Sequence, residues 1–206
     1  MTVPDHLRTW LAVRESVSWY EVRPCDESPS TSARDGAVHD IRTYDHARSP
    51  ERAARLLAAL DQARTDAAAG TPLSFALLSA WQRRVLGVPH APFRVHPAFA
   101  RKGRERYGLV DSRRFETCLG ECGDPVIPLA ARAARVYLDI CFFHPFDDGN
   151  ARSAFLALDF VLTRAGITIG QVGPLRRFPR RADDAGGALV FADLVSVLIT
   201  AKPADL

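Results

Sequence analysis

One stretch of this chain can sit only at the centre of a helical bundle. From Ala151 to Arg164 the side chains Ala154, Phe155, Leu156, Ala157, Leu158, Phe160, Val161 and Leu162 make a helix that is apolar nearly all round, with Gly166 as its stop. A helix without a polar face needs neighbours on every side. Leu129, Ala133, Val136 and Ile140 fall on one stripe of a preceding helix running to about Phe143. Upstream, Leu56, Leu60, Ala63 and Ala67 share a face of a helix that begins at Pro50 and stops at Gly70. Thr71-Pro72 predicts the cap and first position of another helix, ending at Gly87. There is no sustained alternation of apolar and polar residues and no internal repeat, so the expected fold class is mainly α, a helical bundle.

The connections are less regular. Pro4 to about Glu21 predicts a first helix through Leu7, Leu11 and Trp19, and Arg23 to Ser49, rich in Pro, Ser, Asp and Arg, predicts a long loop. Gly87 to Pro128 predicts a loop-rich insert with a short hairpin and a short helix over Arg113 to Leu119. The stretch Gly170 to Gly187 predicts an irregular arginine-rich tail before an apolar helix near Ala188 to Ile199. The expected organisation is an N-terminal helix and irregular segment over 1–50, a helical domain over 51–170, and a tail over 171–206 whose helix packs on the core.

Length and charge narrow the function. A chain of 206 residues suits a single core with appendages. No apolar run approaches the roughly 20 residues that cross a bilayer, so no membrane role is expected. The first residues lack a basic start followed by an apolar stretch, and a cytoplasmic location is expected. Cys25, Cys118, Cys122 and Cys141 form no Cys-x-x-Cys pair and read as reduced thiols rather than zinc ligands. A net charge of +3, carried by scattered arginines, is too small for a DNA-binding surface and fits a local anion pocket.

That pocket is legible in His144-Pro-Phe-Asp-Asp-Gly-Asn-Ala-Arg152, between the two strongest helices. Gly149 and Asn150 readily take left-handed backbone angles, so the turn can aim successive N–H groups into one concavity. The helix starting near Ala151 adds free N–H groups and the positive end of its dipole. Arg152 opposes that dipole in the first turn, a placement that makes sense if a bound anion reverses the field. Asp148 is a hard oxygen donor suited to Mg²⁺, His144 can accept a proton from an attacking hydroxyl, and Phe146 is expected to point into the core and anchor the loop.

This string resembles the Fic signature, His-x-Phe-x-(Asp/Glu)-Gly-Asn-(Gly/Lys)-Arg, departing from it only at the eighth position, where Ala151 stands. The order of elements from about Thr71 to Gly166 is similar to the Fic/Doc fold, a helical bundle with a loop or short β-hairpin flap before the motif. The resemblance implies a nucleotidyltransferase that moves AMP, or another NMP, from ATP or another nucleoside triphosphate to a hydroxyl on a protein Ser, Thr or Tyr. By the same carry-over His144 is the base, Asp148 the Mg²⁺ ligand, Gly149, Asn150 and Ala151 the anion loop, and Arg152 a phosphate clamp. It leaves open a Doc-like phosphotransfer with the nucleotide reversed, transfer to a small-molecule or natural-product hydroxyl, and a module that binds a nucleotide or partner without turnover. Phe155 stands where many AMP-transferring members carry a second arginine, and Arg176, Arg177, Arg180 or Arg181 are candidates to replace it. No Ser/Thr-x-x-x-Glu-Gly/Asn inhibitory string is present, which leaves room for a separate inhibitory partner. The hairpin region, Phe93 to Val110, is where the resemblance places binding of the target segment.

Overall fold

The structure, a computed structural model, describes residues 3–201. The first two residues of the N-terminal segment and the last five of the tail lie outside the described residues. The elements in chain order are α1 (His6–Val13), β1 (Ser30–Thr31), α2 (Gly36–Asp40), α3 (His46–Arg48), α4 (Pro50–Ala68), α5 (Phe75–Leu86), β2 (Ala98–Ala100), β3 (Glu105–Tyr107), α6 (Ser112–Gly120), α7 (Leu129–Phe143), α8 (Asn150–Arg164), β4 (Ile167–Thr168), α9 (Gly173–Arg177) and α10 (Ala185–Thr200).

The apolar-all-round helix is the hub of the bundle. Every residue of α8 from Ser153 to Leu162 is buried, and the helix packs against α7, α4 and α5. The opposite side of α7 is covered by α10 and α1, so Trp10, Trp81, Phe115, Phe143, Phe160 and Phe191 belong to one continuous core. Among the described residues no helix is long and apolar enough to cross a membrane.

Local chemistry sets most boundaries. Ser49 accepts a hydrogen bond from the Arg52 N–H and Pro50 takes the first turn of α4. Gly87, at φ 69°, caps the C-terminus of α5 in the left-handed region. The start of α5 differs from expectation: Ser74, not Thr71, caps it, and Thr71-Pro72-Leu73 stays outside the helix. Ser74 wins because its side chain reaches the Leu77 N–H while Glu116 of α6 accepts from the Phe75 N–H.

Three further expectations need correction. The first helix stops at Val13 and continues as two short 3₁₀ turns, Arg14–Ser16 and Trp19–Glu21. Arg14 turns inward to Asp139 of α7, and the indole of Trp19 donates to the Arg14 carbonyl, which breaks the helical course at Val17. The long loop expected over Arg23 to Ser49 contains a near-continuous helical segment: α2, a π-helical turn Ile41–Asp45, and α3. Asp35 caps it through the Val38 N–H, and Gly36 lies so close to the strand after α8 that a Cβ there would meet the Gly170 backbone at 2.5 Å. In the same stretch β1 pairs in parallel with β4. The tail is less irregular than expected, since it holds α9, and α10 begins earlier because Asp184 accepts from the Gly187 N–H and caps it.

The expected flap is a short antiparallel hairpin, β2 with β3, whose tip passes through Arg101, Lys102 and Gly103, all at positive φ. Asp5 fixes its return strand: the carboxylate that caps α1 also accepts from the Gly108 N–H at 3.0 Å and from the Arg106 guanidinium at 2.9 Å.

Candidate active site

The chain leaves α7 through His144, which sits in the left-handed region at φ 50° and ψ 55°. For a residue other than glycine that conformation costs on the order of 1–2 kcal/mol, so surrounding contacts must impose it. Arg94 imposes it. Its Nε donates to the His144 carbonyl at 2.6 Å, its Nη2 to the Phe143 and Gly108 carbonyls at 3.1 and 2.5 Å, and its Nη1 to the His96 carbonyl at 2.7 Å. The Arg94 N–H in turn donates to the Pro145 carbonyl at 2.9 Å. A buried guanidinium thus binds carbonyls at the negative end of the α7 dipole and ties the hairpin base to the histidine. Sequence reasoning missed Arg94; its one signal is a lone arginine in the otherwise apolar run Ala-Pro-Phe-Arg-Val.

The His144 ring stacks on Tyr107 of β3, with centroids 4.3 Å apart and planes inclined by 14°. Its Nδ1 lies 3.4 Å from the Cys141 carbonyl, and the tautomer that donates there leaves the Nε2 lone pair free to accept a proton. Burial lowers the pKa of the imidazolium below the ordinary histidine value, aided by the charge of Arg94 and partly opposed by the Cys141 carbonyl, Glu105 and Asp148. The ring is therefore neutral near pH 7. A reaction that uses it as a base should have its acidic limb centred below the ordinary histidine value of about 6.5, with the rate lost as the pH falls through that limb. A pH–rate profile checks this, and an acidic limb centred above pH 6.5 would contradict it.

The loop that follows is held from within. Phe146 is buried and stacks on Phe75 at 5.4 Å. The Asn150 side chain closes the turn, its Oδ1 accepting from the Phe146 N–H at 2.9 Å and its Nδ2 donating to the Phe146 carbonyl at 2.7 Å. Asn150 therefore faces the pocket by its backbone alone. Gly149 sits at φ 78°, and a Cβ there would lie 2.5 Å from the Gln82 Nε2, so both backbone angle and space demand glycine. Its N–H does not point into the pocket with the others, because it donates to its neighbour Asp148 Oδ1 at 2.6 Å. The Gly149 carbonyl accepts from the Arg152 and Ser153 N–H groups. Among the described residues the Asn150 and Ala151 N–H groups have no acceptor in the chain, and they open the positive end of α8.

Gln82 of α5, fully buried, braces this turn. Its Nε2 donates to the Asp148 carbonyl at 2.5 Å, and its Oε1 accepts from the Ser153 hydroxyl at 2.6 Å. Neither Gln82 nor Ser153 was legible as a site residue, because each acts only through a partner distant in sequence.

Arg152 is loosely held, with Nη2 3.4 Å from Asp148 Oδ2 and Nη1 3.5 Å from the Val85 carbonyl. Burial depresses its ordinarily high pKa, so a stronger anionic partner would relieve a desolvated charge. Asp148 is exposed, and among the described residues its Oδ2 has only that weak contact. No group of three or more metal-ligating side chains exists among the described residues. One exposed carboxylate beside free amides nonetheless fits a cation such as Mg²⁺, which takes one or two carboxylates and fills its sphere with phosphate oxygens and water.

A cleft of about 170 Å³ is lined by Ala151 of the loop and by Tyr107, on which the His144 ring stacks, together with Ala100, Cys141 and Arg180, while His144 itself does not line it. Larger clefts of about 510 and 410 Å³ lie at α2 and at the end of α5, but neither is lined by His144 or the loop after it. Phe155 is buried at 1 % exposure, with the Arg176 guanidinium 4.9 Å from its ring. The structure thus gathers His144, Ala151, Arg152 and Asp148 at one helix start, with Phe146 and the Asn150 side chain serving the turn itself.

Residues 84–162 match the model of the Fic/DOC family. No curated protein matches the chain. Among solved structures, the crystal structure of IbpAFic2 covalently tethered to Cdc42 is similar over 93% of this chain and 69% of that one, at 14% identity and a TM-score of 0.57. A Fic domain containing signaling protein from Bacteroides thetaiotaomicron VPI-5482 is similar over 95% of this chain and 93% of that one, at 16% identity and a TM-score of 0.56. Both show the Fic fold.

Proposed function

We propose that this chain, which carries a Fic/DOC-family domain over residues 84–162, is a nucleotidyltransferase that moves AMP or another NMP from a nucleoside triphosphate to a protein hydroxyl. The observation that carries the reading is the juxtaposition of a neutral, fixed His144 with the unpaired N–H groups of Asn150 and Ala151 at the start of α8.

In the proposed reaction His144 Nε2 takes the proton of the target hydroxyl as its oxygen attacks the α-phosphorus. The bond from that phosphorus to the bridging oxygen breaks, and pyrophosphate leaves. The Asn150 and Ala151 N–H groups hold a phosphate oxygen, and Arg152 exchanges its weak contacts for a phosphate. Asp148 would hold Mg²⁺, which when bound neutralises phosphate charge. Ala151 brings no ammonium into the pocket, which favours this orientation of the donor over the reversed one. The β3 edge of the hairpin is bridged to Asp5, whereas the outer edge of β2 pairs with no strand among the described residues and suits main-chain pairing with an extended target segment. The tethering of the structurally similar IbpAFic2 to Cdc42 is consistent with a protein as target.

The chain should bind ATP with Mg²⁺, and Arg152→Gln should weaken that binding by about tenfold to a hundredfold, the loss of one charge-assisted contact. Calorimetric titration tests both, and a folded wild-type protein that binds no nucleoside triphosphate would overturn the reading.

A further inference from the structure

Of the four tail arginines, three are matched by carboxylates. Arg176 pairs with Asp40 and Asp45 at 2.6 Å each, Arg177 with Asp40 at 3.6 Å, and Arg181 with Asp183 at 3.1 Å. Arg180 has no ion-pair partner among the described residues. Its Nη1 donates instead to the Tyr137 hydroxyl at 2.5 Å. Tyr137 is itself buried in α7 and packs on Phe191 at 4.9 Å, so the guanidinium is held from behind by a phenol fixed in the core.

Arg180 lines the cleft beside Ala151 and also an adjoining cavity of about 310 Å³ between α1, the hairpin and the tail. The other charges on these walls cancel. Glu105 is paired with Arg101 at 3.1 Å and accepts from the Tyr107 hydroxyl at 2.8 Å, and Arg181 is matched by Asp183. The surplus charge of the combined groove, among the described residues, is that of Arg180. Desolvating an unmatched guanidinium is costly unless an anion joins it. Ala151 keeps the space in front of it open, where a longer side chain would fill the cleft.

We propose that Arg180 is a second phosphate-binding guanidinium of the nucleotide site, reaching it from the tail side while Arg152 reaches it from the α5 side. This rests on the nucleotidyltransferase reading. It assigns to one tail residue the charge that Phe155 cannot supply, and it excludes Arg176, whose guanidinium lies over Phe155 but is already neutralised by two aspartates.

The test is calorimetric titration of ATP with Mg²⁺ into wild type, Arg180→Gln, Arg180→Lys and, as a control, Arg181→Gln, with thermal melting of each. Arg180→Gln should weaken ATP about tenfold or more, Arg180→Lys less, and Arg181→Gln not at all. Tyr137→Phe, which keeps the packing but frees the guanidinium, should weaken ATP a few-fold and keeps the test decisive if Arg180→Gln fails to fold. Wild-type binding with an unchanged affinity in folded Arg180→Gln and in Tyr137→Phe would overturn the role of Arg180 alone. An unchanged ATP affinity with a raised requirement for acceptor would likewise overturn it and give the charge to the target. If the wild type binds no ATP, the reading beneath it falls as well.

Discussion

Replacing His144 by alanine should lower the rate of transfer by roughly 10²- to 10⁴-fold while leaving ATP affinity near that of the wild type. The two effects separate because the loop does not depend on the imidazole. The free Asn150 and Ala151 backbone amides are set by the Asn150 side chain, Gly149 and Gln82, while the ring of His144 stacks on Tyr107 and lies against the Cys141 carbonyl, neither of which belongs to the loop. Alanine also destabilises the left-handed turn slightly, so His144→Asn is the sharper variant: asparagine tolerates that backbone region and lacks only the base. Initial rates and calorimetry on both variants check the prediction. A rate that survives either substitution within a few-fold would remove His144 as base.

The largest expected effect on stability lies further back along α7. Asp139, fully buried, accepts from the Trp10 indole at 2.8 Å and from the Arg14 Nε and Nη2 at 2.7 and 3.0 Å. Asp139→Ala leaves a buried guanidinium with Glu121 and Glu15 as its remaining partners and an indole N–H with none. Removing one member of such a pair costs about 3–5 kcal/mol, and the retained Glu121 contact puts the expectation near 3. Urea denaturation gives the value directly. Because α7 delivers His144, the variant should also lose activity at temperatures where α1 begins to detach. A loss below about 1 kcal/mol would show that the site relaxes or hydrates freely, contrary to its burial.

The long helices were legible because their burial repeats at helical spacing. α8 reads correctly since no face of it is polar, and α4 and α7 since one stripe of each is apolar. The helical segment over Gly36–Arg48 was not legible. Only Ala37 and Ile41 turn a fully buried apolar side chain inward, and its stability comes from Asp35, Asp40 and Asp45 meeting Arg64 and Arg176 from other elements. In the site, residue types fixed the left-handed turn at Gly149 and the cluster of base, carboxylate and arginine. They did not fix where each donor points, so the Gly149 N–H and the side-chain amide of Asn150 turn out to be spent inside the loop. Arg94, Gln82 and Tyr107 were hidden for one reason: each acts through a group brought to it by the fold rather than by its neighbours in the chain, and the same dependence left Arg180 undistinguished among the four candidate arginines of the tail.

On the proposed reading, His144 directs a hydroxyl at the α-phosphorus of a bound nucleotide. The most direct measurement incubates the protein with Mg²⁺, a cell lysate and ATP labelled separately at the α and γ phosphates. Lysate proteins should gain label from the α-phosphate and none from the γ-phosphate, and the label should be lost with His144→Ala. Label from the γ-phosphate alone, or α-label that persists in His144→Ala, would contradict it.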